Sequence, residues 1–105
     1  MLETSVKFNL MKDSEYQNGS VVSKVLLKKT SGNVTLFAFD KGEQLSPHSA
    51  PFDALVQVLD GTAEIMIGDK IHELFAGEII IMPANIIHAV KAKEKFKMML
   101  TMLKS

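Results

Sequence analysis

The chain has 105 residues, with 12 basic and 12 acidic side chains and a formal net charge of zero. Every basic residue is lysine, which excludes bidentate guanidinium clamps on phosphate or carboxylate, and a neutral chain without arginine is a poor candidate for binding nucleic acid. There is no cysteine, so disulfides, thiolate metal ligands and a cysteine nucleophile are excluded too.

In chain order the pattern is one of short strands and turns. Val6, Phe8 and Leu10 alternate and predict a first strand, and Met11 to Tyr16 could form a helical turn. The β-branched and aliphatic run 21–29 predicts a second strand, the turn Ser31-Gly32-Asn33 follows, and a third strand runs to Asp40. After a loop, His48 to Phe52 and then 54–59 are expected to be extended. Asp60-Gly61 is read as a type I′ hairpin turn, because both central residues of that turn need positive φ. Strands at 62–67 and 70–75 flank Gly68-Asp69, and Ala76-Gly77-Glu78 turns into Ile79 to Met82. Pro83-Ala84-Asn85 breaks that strand before 86–90, and Lys93-Glu94-Lys95 turns into a last strand over 96–103. Nine or ten short strands with turns every eight to twelve residues predict an all-β sandwich or barrel. No Pro/Gly/Ser linker divides the chain, so residues 1–105 are read as a single domain. The N-terminus lacks an apolar h-region and no apolar run could span a bilayer, so a cytoplasmic protein without membrane partners is expected.

Glycines and histidines fall into a frame within this pattern. Gly42, His48 and Gly61 fit one spaced motif over 42–61, and Gly77, Pro83 and His88 fit a second over 77–92. The arrangement resembles the two motifs of the cupin family. It implies an antiparallel β-barrel of the jelly-roll or double-stranded β-helix type, with the motifs lining its mouth. The metal-binding members of that family use three histidines and one glutamate. Here Ala50 stands at the second histidine position, Ala54 at the glutamate and Ala92 at the final Asn, while Asn85 replaces a glycine. Asn is a mild change there because it tolerates the left-handed region.

The resemblance therefore leaves His48 and His88 as metal ligands, which would hold Zn, Ni, Mn, Fe or Cu only weakly. Candidate third ligands are Asp53, Gln57 and His72. Strand alternation points Asp53 and Gln57 away from the side of Ala54, unless a bulge after Pro51 reverses them. For His72, a two-residue Gly68-Asp69 turn pairs Ile65 with His72 and Ala63 with Leu74 and aims His72 inward; its plainer role is a hydrogen-bonded or rim histidine. Ala50, Phe52, Ala54, Val56 and Val90 share the expected inward parity and, with the three histidines, form the predicted ligand pocket. Such a pocket suits a small, mostly apolar molecule.

The expected function is a small-molecule-binding cupin with a weak divalent metal at the two histidines. A metal-dependent enzyme of the dioxygenase or isomerase type is the alternative, and a dimeric accessory subunit acting on another protein is a third reading. In the last strand Phe96, Met98, Leu100 and Met102 form one apolar face, and Met99 and Leu103 add apolar surface to the other. A strand apolar on both sides is central or covered by another chain, and a homodimer is expected. The competing expectation is a monomer, with Met99 and Leu103 lying beneath the N-terminal segment.

Overall fold

The computed structural model describes residues 1–104. They form eight strands: β1 (Val21–Lys29), β2 (Gly32–Phe39), β3 (Gln44–His48), β4 (Asp53–Ile67), β5 (Lys70–Phe75), β6 (Ile79–Met82), β7 (His88–Lys91) and β8 (Phe96–Leu103). All pairings are antiparallel, and no helix occurs among the described residues. The architecture is the all-β jelly-roll barrel expected from the strand and turn pattern.

The barrel has two sheets that share one strand. In sheet A the order is β1-β2-β8-β4-β6, and in sheet B it is β5-β4-β7-β3. The first part of β4 pairs with β8 and β6, and its last part, from Thr62, pairs with β5 and β7. The hairpin expected at Asp60-Gly61 is therefore absent. The strand continues through these residues for 15 positions and bends into the other sheet. The register slips between Val58 and Asp60, and Gly61 follows with φ of 73°. This is a bulge with a glycine-specific backbone, which re-aims a strand rather than reversing it. By contrast, Gly68-Asp69 is the expected two-residue turn, with Ile67 paired to Lys70, Ile65 to His72 and Ala63 to Leu74.

Alternation along β4 places Ala54, Val56 and Val58 on the inner side of sheet A, then Ala63 and Ile65 on the inner side of sheet B, all buried. They pack with Phe39, Phe96, Met98 and Val90 into one core. Phe39 and Phe96 stack with ring centroids 4.4 Å apart.

The N-terminal strand expected over Val6, Phe8 and Leu10 does not form, and Val6 is exposed. Asn9 and Asp13 divert the backbone instead. Asn9 Oδ1 accepts hydrogen bonds from the N–H groups of Met11 and Lys12, while Asp13 Oδ2 accepts from the N–H of Asn9. The resulting coil crosses the outer side of sheet A. Buried Lys97 holds it there by donating from Nζ to the carbonyls of Met11 (3.2 Å) and Ser14 (2.8 Å). Tyr16 Oη donates to Asp60 Oδ2 at 2.6 Å, and burial followed by the adjacent carboxylate pushes the Tyr16 pKa well above the usual tyrosine range.

The motif glycines differ in what they protect. A Cβ on Gly61 would stand 2.0 Å from the Lys95 carbonyl oxygen, whereas one on Gly77 would meet nothing, although both have positive φ. Gly61→Ala should therefore cost about 3 kcal/mol or more, and Gly77→Ala only about 1 kcal/mol. Urea denaturation of the two variants checks this, and equal losses would contradict it.

Candidate functional site

His48 closes β3 and His88 opens β7, and the two residues are paired across these strands. Their side chains lie on the inner side of sheet B, continuing the face of Ile67 and Val90. The Nε2 atoms are 3.1 Å apart, and the rings meet edge to face with centroids at 4.4 Å. Each ring is oriented from behind by the carbonyl two residues earlier. His48 Nδ1 lies 2.7 Å from the Ser46 oxygen, and His88 Nδ1 lies 3.3 Å from the Ile86 oxygen. A carbonyl only accepts, so a ring that donates from Nδ1 presents a bare Nε2 lone pair; the shorter contact favours this form for His48. The two Nε2 atoms meet at 3.1 Å, a distance that a hydrogen on one of them spans, or a cation when both rings carry theirs on Nδ1.

Burial, followed by the positive charge that His48 can carry, lowers the His88 pKa below the ordinary imidazole value, against a smaller opposing effect of the Ile86 carbonyl. His88 is almost wholly buried, while His48 is exposed.

The remaining candidates are placed differently. The strand expected from His48 to Phe52 ends at His48 itself, so inward parity does not extend to Ala50 and Phe52. Ala50 lies in the following loop, where its carbonyl accepts from Asn85 N–H at 2.7 Å. Phe52 is half-buried, with Lys104 Nζ 5.5 Å from its ring centroid. Ala54, Val56 and Val90 do face inward, but they are sealed into the core. Asp53 faces outward and is engaged: its Oδ1 accepts from Ala84 N–H at 2.8 Å. Gln57 also faces outward, between Met99 and Ile79. His72 faces inward and is half-buried, in the cross-strand row His72-Ile65-Val90. That places it two strands across and two residues along from His88, about 12 Å away. Among the described residues no group of three His, Asp or Glu side chains could hold a metal ion.

Some features of the site escape a reading by residue type. The Ser46 and Ile86 carbonyls that orient the histidines are backbone groups and carry no residue signal. Asn85, at the motif's glycine position, adopts φ of 64°, the left-handed conformation that Asn tolerates.

The fold and the paired motif histidines define a small jelly-roll barrel with its polar site at the sheet B end. Residues 35–104 match the cupin domain, and the chain belongs to the cupin family. Among solved structures, a conserved protein of unknown function from Streptococcus pyogenes is 34% identical with a TM-score of 0.92, covering 99% of this chain and 91% of that one. A Cupin 2 conserved barrel domain protein from Leptotrichia buccalis is 47% identical with a TM-score of 0.88, over 92% of this chain and 47% of that one. A cupin superfamily protein from Desulfitobacterium hafniense is 29% identical with a TM-score of 0.90, over 99% and 95% of the two chains. No curated protein matches. No described helix is long and apolar enough to cross a membrane.

The buried histidine gives a pH signature. Unfolded His88 titrates near the reference value of about 6.5, and the folded value lies below it. The unfolded state therefore takes up the proton first as pH falls. Folded-state stability should drop as pH passes down through that reference value and level off below the folded one. Melting temperatures between pH 8 and pH 5 should show this decline, and His88→Gln should remove it. Identical declines in the two proteins would contradict the assignment.

Proposed function

We propose that this cupin binds a small molecule at a weak divalent transition-metal site anchored by His48 and His88 alone. The observation that carries the proposal is the 3.1 Å convergence of two Nε2 atoms, each ring backed by a carbonyl near its Nδ1. Zn, Ni, Mn, Fe or Cu accepts imidazole nitrogen at about 2 Å, so two nitrogens this close suit one shared cation. When bound, the metal supplies a Lewis-acidic point at the barrel mouth.

The chain's own residues explain why such a site would be weak and open. Ala50 and Ala54 contribute methyl groups where ligating members of the family place donors. Asp53 is committed to the Ala84 backbone, and Gln57 lies on the opposite side of its sheet. The remaining coordination positions would fall to water and to a donor atom of the small molecule. Ile86 and Ile87, the exposed pair just before His88, offer apolar surface beside it. That combination favours a compact, mostly apolar ligand bearing one nitrogen or oxygen donor. A dioxygenase or isomerase would normally need a third protein ligand to hold its metal through turnover, so binding is the reading favoured over catalysis.

Calorimetric titration of untagged protein with Zn²⁺ and Ni²⁺ tests the proposal. One weak site per chain is expected, weakening further as pH falls because protons compete with the metal for imidazole nitrogen. His48→Ala and His88→Ala should each abolish it, while Asp53→Ala and His72→Ala should leave it intact. Absence of binding in the unaltered protein, or binding that survives both histidine substitutions, would overturn it.

A further inference from the structure

Alternation in sheet A fixes which side chains face the barrel interior, and two of them break its apolar pattern. On β2, β8, the first part of β4 and β6, no inward position carries a polar side chain except Asn33 and Thr35. The row through Asn33 runs Lys28-Asn33-Met102-Ala54-Met82, and the next row inward runs Val25-Thr35-Leu100-Val56-Ile80. Thr35 is only 9% exposed. Its hydroxyl donates to Asn33 Oδ1 at 3.4 Å, well beyond the roughly 2.5 to 3.0 Å of an ordinary O–H···O bond. Weakly bonded polar groups in an apolar wall cost stability, and valine at either position would suit a strand better.

These two residues lie at the histidine end of the barrel. The short link 40–43 joins the end of β2 to the start of β3, so Asn33, near the start of β2, and His48, at the end of β3, are both remote from that link. The histidine row of sheet B runs His48-His88-Ile67-Lys70. Facing sheets stand about 10 Å apart, and the two rows form opposite walls of one opening. Asn33, Met102 and Ile67 face inward there and still keep partial exposure, whereas Val56 and Ile65, one row deeper, are fully buried. Charge is one-sided in this opening. Each row ends on an exposed lysine, Lys28 on β1 and Lys70 on β5, while the acidic side chains within strands, Asp53, Asp60, Glu64 and Glu73, all face outward.

We propose that Lys28, Asn33 and Thr35 form a carboxylate subsite, so that the small molecule held at the histidines carries a carboxylate at its other end. The Lys28 ammonium, the Asn33 amide N–H and the Thr35 hydroxyl can all donate, and an ionised carboxylate only accepts. One lysine with two neutral donors matches the single charge of a carboxylate, not the charge of about −1.5 to −2 on a phosphate monoester. Between the two ends the ligand's apolar part would lie against Met102, Leu100 and Ile67, which face the opening from the two sheets. The subsite deepens the metal-site reading and rests on it only for the ligand's second contact. Its own residues are separate from the histidines and can be tested without metal.

The test uses the full chain, freed of metal on a chelating resin and held at pH 8, where ordinary imidazole is neutral and does not attract an anion. Amide NMR spectra are followed during titration with butanoate and, separately, with 1-butanol. Butanoate should give saturable shifts at Lys28, Thr35 and Asn33, including the Asn33 side-chain amide, and 1-butanol should not. Thr35→Val and Lys28→Met should each weaken butanoate binding about tenfold, the loss of one charge-assisted hydrogen bond. Lys28→Met alters an exposed side chain, so the test stands even if Thr35→Val disturbs the fold. No saturable shift, an equal response to 1-butanol, or unchanged affinity in Lys28→Met would overturn the subsite. So would shifts centred on His48 and His88 that spare Asn33 and Thr35. Butanoate binding that persists while the Zn²⁺ and Ni²⁺ titrations fail would remove the metal reading and leave the subsite standing.

Discussion

One strand has to serve two sheets, and most of this structure follows from how β4 does so. Its inward side chains change sheets at Gly61 without leaving the core, from Ala54, Val56 and Val58 on one side to Ala63 and Ile65 on the other. A side chain at the bend would collide with the Lys95 carbonyl, so the close approach of β4 to the start of β8 and the bend itself depend on the same missing Cβ. If the strand ran straight, sheet B would have nothing to close against. The histidines would then lose their shared side of the barrel, because β7 reaches its place only by pairing with the second part of β4.

How much was legible beforehand depended on whether local pattern or a distant partner decided the matter. The Gly68-Asp69 hairpin could be read because alternation on both arms admits one register: shifting it by a residue would put Glu73 on the buried side with Ala63 and Ile65. Asp60-Gly61 carries the same kind of local signal and yields the opposite result. Its flanking residues are claimed by β8 and β6 on one side and by β5 and β7 on the other, so the dipeptide bends a strand instead of reversing it. Val6, Phe8 and Leu10 alternate as a strand would, but the side chains of Asn9 and Asp13 capture the neighbouring N–H groups before a ladder can form.

The candidate site shows the same division. Motif spacing picked out His48 and His88, and strand parity picked out the outward course of Asp53 and Gln57. Parity failed at Ala50 and Phe52 because β3 ends at His48, and alternation has no meaning in the loop beyond it. The two carbonyls behind the imidazoles lie at equivalent positions, two residues before each histidine. Main-chain direction of that sort arises from the closed barrel, and no side chain announces it.

The place of β8 bears on how the chain reaches this state. In chain order it is the last of the eight strands, yet it lies inside sheet A, between β2 and β4. During synthesis the first seven strands emerge while the seam they must close around is still missing, leaving one long edge of β2 and one of β4 unpaired. Assembly of sheet A thus waits for the final segment to insert between partners made much earlier, a non-local step of the kind that makes β-topologies slow to fold and prone to misassociate through open edges. Loss of even the last few residues of β8 would open the middle of the sheet, whereas trimming the coil before Asn9 would leave every strand pairing in place.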